Sequence, residues 1–109
     1  MTVAGKILAD GQLPTTKTAL YTVPANATAF APFFSVRVIA GAATQTVRWF
    51  LKKSGSTSRE QPQVVIAADE SADLLYGDRR ATLSAGDVIE GQTTTAAKVD
   101  YVISGGEDT

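Results

Sequence analysis

Alternation of apolar and polar residues at every second position is the feature that most constrains how this chain folds. In the segment FSVRVIA, one face of an extended strand carries Phe34, Val36, Val38 and Ala40. In QTVRWFLKK, one face likewise carries Val47, Trp49 and Leu51. The turn-like GAAT between these two segments predicts a hairpin, or at least two adjacent strands.

Short runs of the same kind recur along the chain and are separated by segments rich in Gly, Ser, Asp and Pro. They indicate roughly seven to nine short strands, a spacing typical of an all-β, single antiparallel β-sandwich of the jelly-roll or immunoglobulin-like type. The segment VVIAADESADLL favours at most one short helical turn, and Pro62 places the strand after it at a sheet edge. The predicted core consists of Phe34, Val36, Trp49, Leu51, Val99, Tyr101 and Ile103.

The length of 109 residues predicts a single domain. Residues 1–14 are expected to form an N-terminal arm or an edge strand that reaches a neighbouring subunit. Residues 15–104 are expected to form the β-sandwich, and residues 105–109, GGEDT, a mobile polar C-terminal tail.

The segment LSAGDVIEG, from Leu83 to Gly91, is interpreted as a corner between two strands. Gly86 accepts a positive φ there, and the Asp87 side chain is placed to accept hydrogen bonds from nearby backbone amides. The segment therefore predicts a tight reversal of the chain rather than a binding site.

The residue inventory argues against catalysis and against a cofactor. The chain has no histidine and no cysteine, which removes the usual general base and the usual transition-metal ligands. The acidic group Asp69, Glu70, Asp73 and Asp78 lacks the spacing of a calcium loop and is interpreted as a solvated turn. We therefore expect no catalytic residues, no metal and no enzyme activity.

Charge and hydropathy limit the possible partners and the compartment. The net charge of −1 does not favour nucleic acid. The longest apolar run, AFAPFF, is too short to span a bilayer, and no signal peptide is visible, so we expect no membrane partner and assembly in a cytoplasm.

Aromatic residues outside the predicted core suggest contact surfaces. Tyr21, Phe33, Phe50 and Tyr76 fall on strand faces opposite the core or in loops, where they favour core margins or subunit contacts, and a carbohydrate-binding platform is the alternative. Together with the N-terminal segment, the candidate partner-contact residues are Lys6, Ile7, Leu8, Tyr21, Phe33 and Tyr76.

Four motifs occur here in the order LADGQLP, LYTVPANAT, LKKSGSTSR and LSAGDVIEG…VDYVISGGE. With this order of motifs the chain resembles, over nearly its whole length, small proteins encoded among the structural genes of tailed bacteriophages and prophages. The resemblance implies a β-sandwich virion component without catalytic residues, either a capsid decoration (cement) protein or a tail accessory protein. Its expected partners are major capsid or tail proteins and further copies of itself.

Overall fold

Nine strands and no helix make up the described part of the chain, which in this computed structural model comprises residues 3–75 and 83–108. For residues 3–6, 30–32 and 108 the description covers the backbone alone. Within those ranges no helix has the length and apolar character needed to cross a membrane. The strands are β1 (Val3–Gln12), β2 (Thr18–Thr22), β3 (Thr28–Val38), β4 (Gln45–Lys52), β5 (Arg59–Glu60), β6 (Val64–Ile66), β7 (Ser71–Leu75), β8 (Val88–Gln92) and β9 (Val99–Asp108).

The strands form two antiparallel sheets that pack into a β-sandwich, as the alternation predicts. One sheet has four strands in the order β1-β9-β3-β7. The other has the order β2-β8-β4-β5, and β6 also pairs with β4. Since β5 and β6 pair with different parts of β4, they fill one strand position between them. This arrangement has the strand order of a jelly roll, the first of the two predicted topologies.

The predicted pairing of FSVRVIA with QTVRWFLKK is wrong. These segments lie in β3 and β4, which belong to different sheets. The GAAT segment crosses from one sheet to the other, with Gly41 at a φ of 78°. Both strands keep their predicted inward faces, because alternation specifies a face and not a neighbour.

The core lies between the two sheets, and aromatic rings from both meet there. The ring of Phe34 on β3 packs edge-to-face against Trp49 on β4, with centroids 5.8 Å apart. It also packs against Tyr101 on β9 at 6.3 Å. Of the seven predicted core residues, all are buried except Leu51 and Tyr101, which are partly buried and pack against the core.

Proline positions explain two irregularities in the strands. Strand β3 starts six residues before Phe34 and accommodates Pro32 at a register shift between Phe30 and Phe33, because a bulge tolerates the missing N–H. The edge strand opposite β4 is interrupted at Pro62, whose carbonyl accepts a hydrogen bond from the Trp49 indole N–H at 3.1 Å. The edge position predicted from Pro62 is thus confirmed for β6.

Both chain ends are built into the four-stranded sheet. Residues Val3–Gln12 form the edge strand β1, paired with β9 along its length, so of the two alternatives for the N-terminal segment the edge strand is observed. Residues Gly105–Asp108 are not the predicted polar tail. They extend β9, where β1 and β3 pair with them on either side.

Candidate partner-contact site

The outer face of the four-stranded sheet is the side that points away from the core. Two of the predicted contact residues, Ile7 and Phe33, lie on this face and are exposed. Strand register places its side chains in three cross-strand rows. The rows are Ile7–Ser104–Phe33, then Asp10–Val102–Ser35–Asp73, then Gln12–Asp100–Arg37–Ser71.

One end of this outer face is an apolar patch formed by Ile7, Phe33 and Val102. Their exposed fractions are 64%, 39% and 39%. Ile7 and Phe33 flank Ser104 from opposite sides, and Val102 lies in the next row on the same strand as Ser104. The exposed apolar side chains are therefore contiguous rather than scattered, and contiguous apolar surface is typical of interaction sites.

The other end is an open acidic depression of about 360 Å³, lined by Ser35, Val36, Arg37, Ser71, Asp73, Asp100 and Val102. Arg37 pairs with Asp69 in the turn before β7, so its charge is already compensated within the chain. Asp100 accepts a hydrogen bond from the Gln12 amide at 3.0 Å. Val102 lines the depression and belongs to the apolar patch, so the two surfaces are continuous.

Negative charge on this face also acts on the core margin beneath it. The pKa of the Tyr101 phenol is raised, mainly by burial and then by the negative charge of Asp10. The ring of Tyr101 covers Gly11, where a Cβ would lie 3.4 Å from the nearest ring carbon. Strand β1 therefore lies close against this ring.

The remaining predicted contact residues from the N-terminal segment and the loops are Lys6, Leu8 and Tyr76. Leu8 lies at the register shift of β1, where it is partly buried and packs against the core. It therefore does not join the apolar patch. The backbone of Lys6 pairs with Gly105, and its side chain lies outside the description. Tyr76 lies outside the described residues.

Tyr21 is not an exposed contact residue, contrary to the prediction. Only 7% of it is exposed, and its hydroxyl donates a hydrogen bond to Glu107 Oε2 at 2.5 Å. Burial, followed by the hydrogen bond and the charge of Glu107, raises the pKa of Tyr21 well above its usual range. The contact joins β2 of one sheet to β9 of the other, and Tyr21 offers no ring face on which a sugar could stack.

Phe50 points outward from the five-stranded sheet, as predicted, but the chain covers it. Only 7% of Phe50 is exposed. Lys17 Nζ lies 5.1 Å from its ring centroid, and Arg48 Cζ lies at 5.7 Å. Arg48 also donates two hydrogen bonds to Glu60, at 2.8 and 2.9 Å, and these hydrogen bonds hold the pKa of Glu60 below its usual value.

The LSAGDVIEG corner is structural, as predicted. Gly86 has a φ of 84°. The buried carboxylate of Asp87 accepts a hydrogen bond from the Ser84 amide at 2.9 Å, which closes the turn. It accepts a second at 2.9 Å from the amide of Ser54, so the corner also holds the loop that follows β4.

The buried side chain of Gln45, at the start of β4, also holds neighbouring segments together by hydrogen bonds. Its side-chain oxygen accepts hydrogen bonds from the Thr93 hydroxyl at 3.1 Å and the Thr95 amide at 2.8 Å. Its amide group donates to the Ala43 carbonyl at 3.0 Å. In the described ranges, every buried side-chain nitrogen or oxygen has a hydrogen-bond partner.

Acidic residues in the described ranges do not gather into a metal site. No group of three or more potential ligands is close enough to hold an ion there. In the acidic turn, Asp69 has a positive φ of 62° and pairs with Arg37. Asp78, the fourth member of the predicted acidic group, lies outside the described residues.

Val102 is the exposed apolar residue of this patch that the predicted contact residues do not include. It is the outward apolar residue that breaks the alternation of KVDYVIS, so its signal is present in the sequence. The acidic depression carries no such signal, because Asp73 and Asp100 come together only through the pairing of β3 with both β7 and β9.

No protein-family model matches this chain, and no curated protein matches it. Among solved structures, it is similar to a chain from Bacillus endospore appendages, which are described as a novel family of disulfide-linked pili. The TM-score is 0.58 and the sequence identity 17%, over 99% of this chain and 88% of the other. At this identity the likeness concerns the fold.

Proposed function

We propose that this chain is a non-catalytic structural subunit of a tailed bacteriophage particle, a capsid decoration protein or a tail accessory protein. It attaches to its neighbours through the outer face of the four-stranded sheet. The single observation that carries the proposal is the contrast between the two outer faces of the sandwich.

That contrast lies in how each face treats its large apolar residues. On the five-stranded sheet, Lys17 and Arg48 cover the outward ring of Phe50, and among the described residues Val65 alone is a large apolar side chain left exposed. On the four-stranded sheet, Ile7, Phe33 and Val102 stay exposed and contiguous. Leaving such a patch in water is unfavourable by about 25 cal/mol per Å² of apolar surface, which a neighbouring subunit removes by covering it.

The non-catalytic part of the proposal is supported by what the buried polar groups do. The carboxylate of Asp87 and the amide of Gln45 are hydrogen-bonded to backbone groups of neighbouring loops, which makes them structural supports. Reactive acids and bases are more often found with unsatisfied or strongly perturbed environments in a cleft.

The particle itself is proposed from the order of the four motifs, which resembles that of phage structural proteins. The similar solved structure is described as a component of pili, so this fold does serve in an extended assembly. Those pili are disulfide-linked, and this chain has no cysteine, so the attachment proposed here does not use disulfides. Repetition around a particle strengthens individually weak contacts.

The test uses particles released from a host whose prophage encodes the chain, with the gene replaced by tagged versions. Wild type is compared with the double variant Phe33→Asp and Val102→Asp. The control is Val65→Asp, an exposed apolar residue of the other sheet that is 69% exposed. Thermal unfolding of each purified variant establishes that the fold is kept.

Wild type and the Val65→Asp control are expected to sediment with the particles in equal amounts, and the double variant to remain in the supernatant. Two results would refute the proposal: a wild-type chain that is absent from the particles, or a folded double variant incorporated at the wild-type level.

A further inference from the structure

We infer that the outer face of the four-stranded sheet binds a second copy of this chain, through the basic cluster Lys17, Arg48 and Lys52 on that copy's five-stranded sheet. This deepens the proposed function and rests on it, since it names the occupant of the same face. The copies would then stack head to tail.

Charge complementarity between the two outer faces supports this pairing. The acidic end of the four-stranded sheet combines the carboxylates of Asp10, Asp69, Asp73 and Asp100 with two cations, Arg37 and Lys98, a formal charge of −2. The basic cluster adds three cations, and Glu60 and Glu90 beside it leave +1. A single chain therefore carries both halves of an attractive contact.

The apolar patch fits the same partner. Lysine side chains lie along apolar surface with their methylene stems while the ammonium group stays with water or a carboxylate. Lys17 already lies against an apolar side chain, with its ammonium group 5.1 Å from the centroid of the Phe50 ring. A lysine stem lying across Val102 would place its ammonium beside Asp73 or Asp100, which line the depression next to it.

Symmetry distinguishes this arrangement from a two-fold dimer. Two copies joined through the acidic ends of the same outer face would bring the carboxylates of Asp10, Asp73 and Asp100 together, and like charges at an interface are unfavourable. Opposite faces avoid this, and a contact between different faces repeats into a ring or an open stack.

The contact is small. Four strands about 4.8 Å apart and rows that span residues 7–12 make the patterned area roughly 15 Å by 17 Å. Stable complexes bury about 800 Å² on each partner, so one such contact is weak. We therefore expect reversible self-association that rises with concentration and falls with salt.

Sedimentation equilibrium of the purified protein tests this inference, without any particle present. An acidic-face variant carries Asp73→Lys and Asp100→Lys, and a basic-face variant carries Lys17→Glu and Lys52→Glu. Both substitute exposed or half-buried residues. Val65→Asp is again the control, and circular dichroism checks that each variant is folded.

Wild type and the control are expected to self-associate, and each charge variant alone to weaken this by about tenfold or more. Mixing the two charge variants should restore association, because each supplies the face that the other lacks. A monomeric wild type, or a basic-face variant that associates as well as wild type, would overturn the inference. Neither result would bear on particle incorporation, so the proposed function fails or stands separately.

Discussion

Replacing Asp87 with alanine is expected to destabilise the fold by about 2–3 kcal/mol, because two backbone N–H groups lose their acceptor. Its carboxylate accepts from Ser54 and Ser84, each at 2.9 Å. A hydrogen bond to a charged group contributes about 1.5–3 kcal/mol. Both serines are exposed, so water replaces part of each bond, and about 1–1.5 kcal/mol for each is the appropriate share.

For a chain of this length, that loss lowers the melting temperature by roughly 8–12 °C. Urea unfolding followed by the fluorescence of the buried Trp49, the sole tryptophan, measures the free energy directly. Asp87→Asn should fall between wild type and Asp87→Ala, since its amide keeps one acceptor. Asp73→Ala, an exposed control, should stay within about 0.5 kcal/mol of wild type. Equal stability of Asp87→Ala and Asp73→Ala would refute the reasoning.

Two further predictions concern the same corner and the link between the sheets. Gly86→Ala should destabilise by more than Gly41→Ala in urea unfolding: both have a positive φ, but a Cβ at Gly86 would lie 2.6 Å from the Ser54 hydroxyl, and Gly41 has open space; equal losses would contradict this. Tyr21 has a pKa above its ordinary value of 10.0, so the folded state holds the phenol proton more tightly, and the stability this adds is complete below about pH 10 and lost above it. As the pH rises from about 9 to about 11, wild type should therefore lose more stability in thermal unfolding than Tyr21→Phe does. Parallel stability–pH curves for the two proteins would contradict the assignment of the raised pKa to Tyr21.

The fold class follows from alternation, because a period of two places every other residue on the core face without reference to the rest of the chain. Phe34 and Trp49 illustrate this, since each lies inward as predicted. Which strands become neighbours is a different question. The jump from β3 to β4 across the sandwich depends on pairings such as that of β4 with β8, distant in sequence, and the local GAAT segment does not encode them.

Tyr21 shows how a local pattern fails at a bulge. The register of β2 shifts between Ala19 and Tyr21, so the strand does not keep one alternation through its length. The residue that settles the direction of Tyr21 is Glu107, 86 positions away. The sequence GGEDT does not reveal this contact, because glycine and acidic residues are typical of unpaired C-terminal tails. Here the neighbouring strands β1 and β3 pair with the segment.

The proposed contact face was partly predictable. Ile7 and Phe33 were among the candidates, and Val102 was visible as an exception to the alternation. Their contiguity was not predictable, because it depends on β9 pairing with β1 on one side and β3 on the other.

Cysteine labelling of the assembled protein tests the central claim most directly, since the chain has no cysteine of its own. Val102→Cys places a thiol on the apolar patch, and Ser56→Cys places one in an exposed loop. Both should react with a maleimide in the free chain. In purified particles, Val102→Cys is expected to lose most of its labelling while Ser56→Cys keeps it; equal labelling of Val102→Cys in the free and assembled chain would contradict the account.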